Sequence, residues 1–295
     1  MKIAFGIIIL NGDYVLEEAL KSIYPYAHQI LVAEGPVTYW QGKGVTTSTD
    51  RTNDILDNFP DPDNKITVVH GQFKEKDEQC NAYMEHIKDD VDYVWNLDSD
   101  EIFLPEDIEK LMKIIEEEKY TSVGFKSLTF YGGFDHQLTG FEENAEFIRI
   151  RKVYPGSYWK THRPPTMEHK YGGAKLPEKH LSFHTSSGQY GIRMYHYSYV
   201  FPRQVYTKLK YYKESLNNAG CIDDYYNIIY YPWVTGDDNQ KVSIENKFNG
   251  VHEWKPQMRG ACRTVPFNGV HPKVIQDAMP KLKKQFAEEL EKYKL

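Results

Sequence analysis

Strand-like and helix-like segments alternate along the first 119 residues, and this alternation constrains the fold more than any other feature of the chain. Apolar runs predict strands at residues 3–10, 29–33, 65–70 and 91–97, and the stretches between them carry apolar residues at helical spacing. Alternating strands and helices fold into a mostly parallel central sheet flanked by helices. We therefore predict an α/β fold for the first half.

The second half of the chain is less regular and predicts a mixed α+β arrangement. Its composition and spacing indicate strands at residues 122–131, 146–154 and 191–200, a helix at 202–216 and a surface helix at 281–293. Residues 217–250 are rich in Tyr, Asp and Asn and predict an irregular segment. We divide the chain into a main domain, residues 1–200, and a helical and irregular extension, residues 201–295, packed on it.

Composition excludes several classes of protein. The net charge is −6 and the pI about 6.0, so we expect no nucleic-acid partner. The three cysteines, Cys80, Cys221 and Cys262, show no metal or disulfide spacing, which fits a reducing compartment. The apolar run at residues 3–10 is too short for a membrane span and no small-residue cleavage site follows it. We expect no signal peptide, no transmembrane segment and a cytoplasmic location.

The fourth predicted strand runs directly into Asp98-Ser99-Asp100-Glu101. Carboxylates this close repel one another, so they need a compensating cation or a set of hydrogen-bond donors. A hard divalent metal with oxygen ligands is the natural compensator, and a solvated acidic turn is the alternative. Ligands of parallel sheets bind outside the carboxyl ends of the strands. Asn11, Glu34, Gly71 and Asp98 are all predicted to lie there.

Five blocks follow one another within residues 1–120: the first strand, turn and helix ending at Ser22-Ile23; residues 30–35; Ser48-Thr49-Asp50-Arg51-Thr52; Gln79-Cys80-Asn81-Ala82; and Asp98-Ser99-Asp100. In this order they resemble the blocks of the family 2 glycosyltransferases, whose fold is the Rossmann-like GT-A nucleotide-sugar fold. Asp98-Ser99-Asp100 matches the family's Asp-x-Asp motif, Glu34 stands where Asp is usual, and about a dozen residues are inserted before Ser48. Residues 159–165, 196–199 and 267–272 resemble segments of uncharacterised bacterial and viral relatives.

The resemblance implies a metal-dependent glycosyltransferase that moves a sugar from a UDP- or GDP-sugar to a hydroxyl acceptor, for which we expect a glycan. Residues 1–120 would form its nucleotide half and 121–200 its acceptor half. It implies Mn²⁺ or Mg²⁺ as cofactor, with Asp100 on the metal and Asp98 on the ribose or a metal-bound water. His196 is the candidate for a further metal or diphosphate contact, and His184 is the runner-up. A structural histidine bonded to a backbone carbonyl is the alternative for His196.

Four residues besides Asp98 are predicted to contact the nucleotide. The Glu34 carboxylate can only accept hydrogen bonds, so it favours a base edge that offers N–H donors. Asp50 is a candidate for the nucleoside, although capping its own helix explains it equally well. Asn11 and Gln79 are candidates for the ribose or the diphosphate.

An inverting enzyme needs a general base for the acceptor hydroxyl, whereas a retaining enzyme would not. The sequence singles out none of five candidates: Asp135, Glu142, Glu143, Glu168 and His162. Trp159, His162 and Arg163 are predicted to contact the sugar or the acceptor, because a Trp face stacks on pyranose rings and Arg forks to hydroxyls or phosphate. A loop with one buried Trp is the alternative.

Two other functions stay open at this point. A nucleotidyltransferase on a related sheet would make the activated sugar, but that class needs a Gly-rich, basic loop after the first strand. Here the turn is Asn11-Gly12-Asp13, which is acidic and poor in Gly. This composition argues against a nucleotidyltransferase. A non-catalytic sugar-binding protein is the third hypothesis. The sugar, the base, the acceptor, the stereochemistry and the oligomeric state are not determined by the sequence.

Overall fold

The computed structural model describes residues 1–162, 166–169, 178–215 and 220–294. Contacts divide the chain into two compact units: residues 1–125 with 146–193, and residues 126–145 with 194–295. We predicted a single division at residue 200, whereas residues 126–145 group with the C-terminal residues. No helix within the described ranges is long and apolar enough to cross a membrane.

The secondary structure alternates through the first 118 residues as predicted. The elements, in chain order, are β1 (Ile3–Ile9), α1 (Leu16–Ile23), β2 (Gln29–Glu34), α2 (Thr38–Gln41), α3 (Thr52–Asn58), β3 (Ile66–His70), α4 (Lys76–Met84), β4 (Tyr93–Leu97), β5 (Glu101–Ile102), α5 (Pro105–Glu118), β6 (Ser122–Tyr131), β7 (His136–Leu138), α6 (Phe141–Asn144), β8 (Phe147–Lys152), β9 (Ser157–Thr161), β10 (Thr166–His169), β11 (His180–Leu181), a π-helical segment (His184–Gln189), β12 (Arg193–Tyr199), α7 (Pro202–Ser215), a second π-helical segment (Tyr226–Tyr230), α8 (Tyr231–Thr235), α9 (Asp238–Phe248), α10 (Pro256–Arg259), β13 (Thr264–Pro266) and α11 (Lys273–Lys292).

The sheet of the first unit has the strand order β3-β2-β1-β4-β8-β6. β1 pairs in parallel with both β2 and β4, and β2 pairs in parallel with β3. β8 is antiparallel to β4 and to β6. The order reverses on either side of β1, and such a switch point leaves a ligand crevice at the carboxyl ends of the strands. The predicted α/β fold with a mostly parallel sheet is confirmed.

Trp95 is the middle residue of β4 and is fully buried in this unit's core. Its ring stacks with those of Phe5 and Phe125, at centroid distances of 5.2 and 5.8 Å, and meets Phe103 edge-on at 4.8 Å. Aromatic packing of this kind adds to the hydrophobic stabilisation of a strand. It therefore fixes the position of β4 three residues before Asp98.

Tyrosines build much of the core of the second unit. Tyr131, Tyr225 and Tyr230 are buried in one apolar cluster. Their hydroxyls are paired, because Tyr131 and Tyr225 bond to each other at 3.0 Å and Tyr230 donates to a backbone carbonyl at 2.6 Å. These tyrosines hold a core together and do not form a sugar-stacking surface.

The segment we predicted to be irregular contains helices in its described part, which corrects that prediction. α9 begins with a capping box in which the Asp237 side chain accepts from the Gln240 backbone and the Gln240 side chain accepts from the Asp237 backbone, both at 2.9 Å. Such reciprocal bonds stabilise the start of a helix with a weak apolar stripe. The last helix begins at Lys273 and not at residue 281, because Pro280 is accommodated inside it.

Candidate functional site

The turn after β4 is closed by hydrogen bonds between its first and last residues. The Glu101 N–H donates to the Asp98 carbonyl at 3.1 Å, and the Asp98 N–H donates to Glu101 Oε2 at 3.2 Å. Glu101 is fully buried, whereas Asp98 and Asp100 are half-buried. Glu101 therefore shapes the turn, and the two aspartates are the carboxylates that the turn presents.

Arg149 is a member of this site that the sequence analysis missed. It lies on β8, beside β4, and its Nη2 is 2.9 Å from Asp98 Oδ2 and also pairs with the Glu101 carboxylate. The signal in the sequence is the alternation Phe-Ile-Arg-Ile-Arg, which places an arginine on a strand between two isoleucines. A charge buried in a strand needs a partner of opposite sign.

Asp98 and Asp100 suit a divalent ion. A carboxylate oxygen of Asp98 and a carboxylate oxygen of Asp100 lie within 4.8 Å of each other. Hard cations bind oxygen ligands at about 2.1 Å, so oxygens on opposite sides of one ion lie about 4.2 Å apart. Mg²⁺ and Mn²⁺ both favour carboxylate oxygens. The donor set therefore fits the predicted metal.

The two histidines predicted near the metal lie in different units. His196 is buried on β12 of the second unit. His184 is exposed at the start of the π-helical segment of the first unit, with its ring 4.0 Å from that of Phe183. Their roles stay predictions.

The turn after β1 and the block at residues 48–52 bind each other at the carboxyl end of β1. Two of the predicted nucleotide blocks are therefore adjacent. The hydrogen bonds run from Asn11 N to Ser48 Oγ (2.9 Å), from Gly12 N to Thr52 Oγ1 (2.9 Å), from Asp13 N to Asp50 Oδ2 (3.3 Å) and from Thr49 N to Asn11 Oδ1 (2.7 Å).

Asp50 and Gln79 both have structural partners. Asp50 Oδ1 accepts from the Thr52 N–H at 2.9 Å, at the first residue of α3, but the N-cap of this helix is Arg51, so the predicted capping role of Asp50 is not confirmed. Gln79 is buried, and its Nε2 donates to the Ala33 carbonyl at 2.8 Å, beside the carbonyls of Ile9 and Gly35. Gln79 thereby joins the ends of β1 and β2. Nucleotide contacts by either residue stay predictions.

Glu34 is almost fully buried at the end of β2, and its carboxylate holds the loop that follows. Oε1 accepts from the Ser48 N–H at 2.6 Å, and Oε2 accepts from the Thr47 hydroxyl at 3.0 Å and lies 3.0 Å from His70 Nδ1. Burial raises the pKa of Glu34, but the bonds from His70, Ser48 and Thr47 outweigh it and hold the pKa below its ordinary value. A base contact by Glu34 stays a prediction.

This lowered pKa predicts an acid-side loss of stability. A carboxyl whose pKa is lower in the folded than in the unfolded protein stabilises the fold above its unfolded pKa, about 4.3 for Glu. That contribution disappears as the pH falls through the folded value. We therefore expect Glu34→Gln to lower the free energy of unfolding at pH 7, and to differ less from the parent at pH 3. Urea unfolding at the two pH values measures both differences.

The control for this prediction is Glu85→Gln, at an exposed position that follows α4. We expect it to leave the unfolding free energy within about 0.5 kcal/mol of the parent at both pH values. An equal effect of Glu34→Gln at pH 7 and at pH 3 would contradict the assignment of the acid sensitivity to this carboxylate.

The predicted sugar and acceptor contacts divide into buried and undescribed residues. Trp159 is 1% exposed, so it offers no open face to a sugar ring in this structure. Its backbone is held by Asn81, through bonds of 2.7 and 2.8 Å. His162 is also buried, with Nδ1 3.8 Å from Cys80 Sγ. Arg163 lies outside the described residues.

The candidate bases have different surroundings. Asp135 is exposed and Glu143 is half-buried. Glu168 is bonded by Lys160 at 2.6 Å and by the Tyr158 hydroxyl at 3.0 Å. The sequence singles out none of them, and none of their contacts by itself assigns the role.

Glu142 belongs to a buried polar cluster of the second unit that the sequence analysis did not find. His252 lies between two carboxylates, with Nε2 3.6 Å from Glu142 and Nδ1 3.0 Å from Glu253. The Tyr199 hydroxyl donates to Glu253 at 2.8 Å. Burial raises the pKa of Glu142, but the hydrogen bond and charge of His252, with the charges of His196 and Lys208, lower it to about 2. Glu142 is therefore a carboxylate at neutral pH.

Residues 46–176 match the model of the family described as Glycosyl transferase family 2. The matched range includes the Asp98–Glu101 turn, Arg149 and the Ser48–Thr52 block. No curated protein matches the chain.

Solved structures give weaker likenesses. The chain is similar to S. aureus TarS 1-349 in complex with UDP-GlcNAc (17% identity, 45% of this chain and 36% of that chain, TM-score 0.34). It is also similar to glucosyl-3-phosphoglycerate synthase from Mycobacterium tuberculosis in complex with Mn²⁺, UDP and glucosyl-3-phosphoglycerate (19% identity, 44% of each chain, TM-score 0.32). For a further crystal structure of S. aureus TarS 1-349 the identity is 12%, over 99% of this chain and 83% of that chain, with a TM-score of 0.38. The chain thus spans less than half the length of the first two.

Proposed function

We propose, from the match of residues 46–176 to the model of Glycosyl transferase family 2, that this protein is a glycosyltransferase that moves a sugar from a nucleotide-diphosphate sugar to a hydroxyl acceptor with Mn²⁺ or Mg²⁺ as cofactor. The observation that carries the proposal is the position of Asp98 and Asp100. They lie within the matched range, at the carboxyl end of β4, where the strand order reverses.

The residues of the first unit have separate tasks in this proposal. Asp100, with Asp98 beside it, would hold a divalent ion, which when bound neutralises charge on the departing diphosphate. Glu101 and Arg149 fix the direction of Asp98. Asn11 and the Ser48–Thr52 block line the carboxyl end of β1, and we place the ribose and the diphosphate there. Glu34 is our candidate for contact with the nucleotide base of the donor. A UDP-sugar is the donor to test first.

His196 stays our candidate for a further metal or diphosphate contact, as the family resemblance implied. The general base stays unassigned among Asp135, Glu142, Glu143, Glu168 and His162. Trp159, His162 and Arg163 remain the proposed sugar or acceptor segment.

The nucleotidyltransferase hypothesis loses support from the turn after β1. That chemistry needs free backbone N–H groups to cradle a triphosphate. Here the N–H groups of Asn11, Gly12 and Asp13 already donate to side chains of residues 48–52. The loop that would hold the triphosphate is therefore occupied by the protein itself.

A melting-shift screen across UDP- and GDP-sugars, with and without Mn²⁺, tests the proposal. A ligand at about 100 times its Kd stabilises the folded protein by about 2.7 kcal/mol, which corresponds to a rise in Tm of roughly 5–10 °C for a chain of this size. We expect that rise for at least one nucleotide sugar with Mn²⁺, and a smaller one after EDTA. Shifts with nucleoside triphosphates alone, with release of pyrophosphate, would support the nucleotidyltransferase hypothesis.

A further inference from the structure

Arg149 places a permanent positive charge inside the acidic turn. Its side chain is 7% exposed, and one nitrogen, Nη2, contacts both Asp98 at 2.9 Å and the fully buried Glu101. Arginine keeps its proton in proteins, so this charge does not vary with pH. Asp98 therefore has a cationic partner before any ligand binds.

The formal charges show what Arg149 changes. Asp98, Asp100 and Glu101 carry −3 together, and Arg149 brings the total to −2. A divalent ion entering this set meets one negative charge fewer than the three carboxylates alone would offer. A nucleotide diphosphate bound beside the ion would restore the missing negative charge. The protein's own cation and the donor thus act in opposite directions on the metal.

We propose that Arg149 is a positioning residue that makes metal binding depend on the donor. It holds Asp98 in place and weakens the attraction of the donor-free turn for a divalent ion, so that the ion binds tightly only together with a nucleotide diphosphate. This inference rests on the proposed function. Donor-linked binding would keep the metal from occupying the turn in the absence of substrate.

Burying the ion pair of Arg149 and Glu101 costs folding free energy, so its presence calls for a role of the charge beyond stability. Two buried ions must both leave water, and well-packed apolar residues often stabilise a core as well as an ion pair does. Arg149 reaches across from β8, 51 residues along the chain from Asp98. A purely structural role predicts changes in folding stability alone, whereas the proposed role also predicts changes in metal affinity.

The test is a titration of the purified full chain with Mn²⁺, in which free Mn²⁺ is measured by electron paramagnetic resonance, without and with saturating UDP. Arg149→Gln removes the charge and takes the turn from −2 to −3. A unit charge acting on a nearby divalent ion at a partly exposed site changes the binding constant by on the order of tenfold. We expect about tenfold tighter donor-free binding in this variant, and a correspondingly smaller gain from UDP.

Two further variants separate charge from shape. The double variant Arg149→Gln with Glu101→Gln returns the total to −2, and Arg149→Lys keeps it there, so both should match the parent within about threefold in donor-free affinity. Arg151→Gln is the matched control, because Arg151 lies on the same strand but pairs with Glu178. We expect it to bind Mn²⁺ like the parent. Circular dichroism of each variant monitors folding.

The outcomes separate this inference from the proposed function. If the parent binds Mn²⁺ with UDP but Arg149→Gln binds donor-free Mn²⁺ no more tightly, the role of Arg149 is overturned and the proposed function stands. If the parent binds no Mn²⁺ with or without UDP, both are overturned. If Arg149→Gln does not fold, Arg149→Lys and the double variant decide, and a large change of donor-free affinity in either overturns the inference.

Discussion

Replacing Asp100 by asparagine is expected to reduce sugar transfer by roughly a thousandfold, which corresponds to about 4 kcal/mol of transition-state stabilisation. The change keeps the size of the side chain but removes the charge that would hold the divalent ion against the departing diphosphate. Asp100 is half-buried in the turn that follows β4. We therefore expect Tm to fall by no more than a few degrees.

The measurement is release of UDP or GDP from the nucleotide sugar that gives the largest melting shift, in the presence of Mn²⁺. Glu106→Gln is the control, because Glu106 is an exposed acid six residues further along, in the first turn of α5. It should retain parental activity. If Asp100→Asn kept a tenth or more of the activity, Asp100 would not be the metal ligand.

The fold of the first unit could be predicted because its strands are buried on both faces. β1, β2 and β4 read as continuous apolar runs, and β6 begins and ends at the predicted residues, 122 and 131. The order of the strands in the sheet, in contrast, could not be predicted from local sequence patterns. The return of the chain to the far side of β1, and the insertion of antiparallel β8 beside β4, depend on long crossovers that leave no local pattern. α9 was not predicted because its sequence is rich in polar residues and lacks a clear apolar stripe. Its start is stabilised by one capping box.

The residues of the candidate site also differ in whether the sequence alone could identify them. Asp98 and Asp100 could be found because they are two residues apart at a strand end. Arg149 and the His252 cluster could not, because their partners come from distant parts of the chain. From the sequence, a charged residue in a buried strand predicts only that a partner of opposite charge exists, not which residue it is. It is the pairing of β8 with β4 that decides that the partner of Arg149 is the acidic turn.

Trp95→Ala is expected to cost about 3–5 kcal/mol of unfolding free energy, because it empties the centre of the first unit's core. The ring is fully buried between Phe5, Phe103 and Phe125. Scaled by the entropy of unfolding for a protein of this size, the loss lowers Tm by roughly 6–20 °C. Calorimetry and urea unfolding at pH 7 measure it.

Trp95→Phe is the matched variant, because it keeps an aromatic ring among the same neighbours. The indole N–H has no hydrogen-bond partner within the described part of the chain, so its removal leaves no group unpaired. We expect less than half the cost of the alanine variant, with the donor-induced melting shift retained. Equal costs for Phe and Ala would mean that the indole makes a specific contact and that ring packing does not dominate. Asp98 lies only three residues beyond, so the same core that stabilises β4 also holds the acidic turn in place.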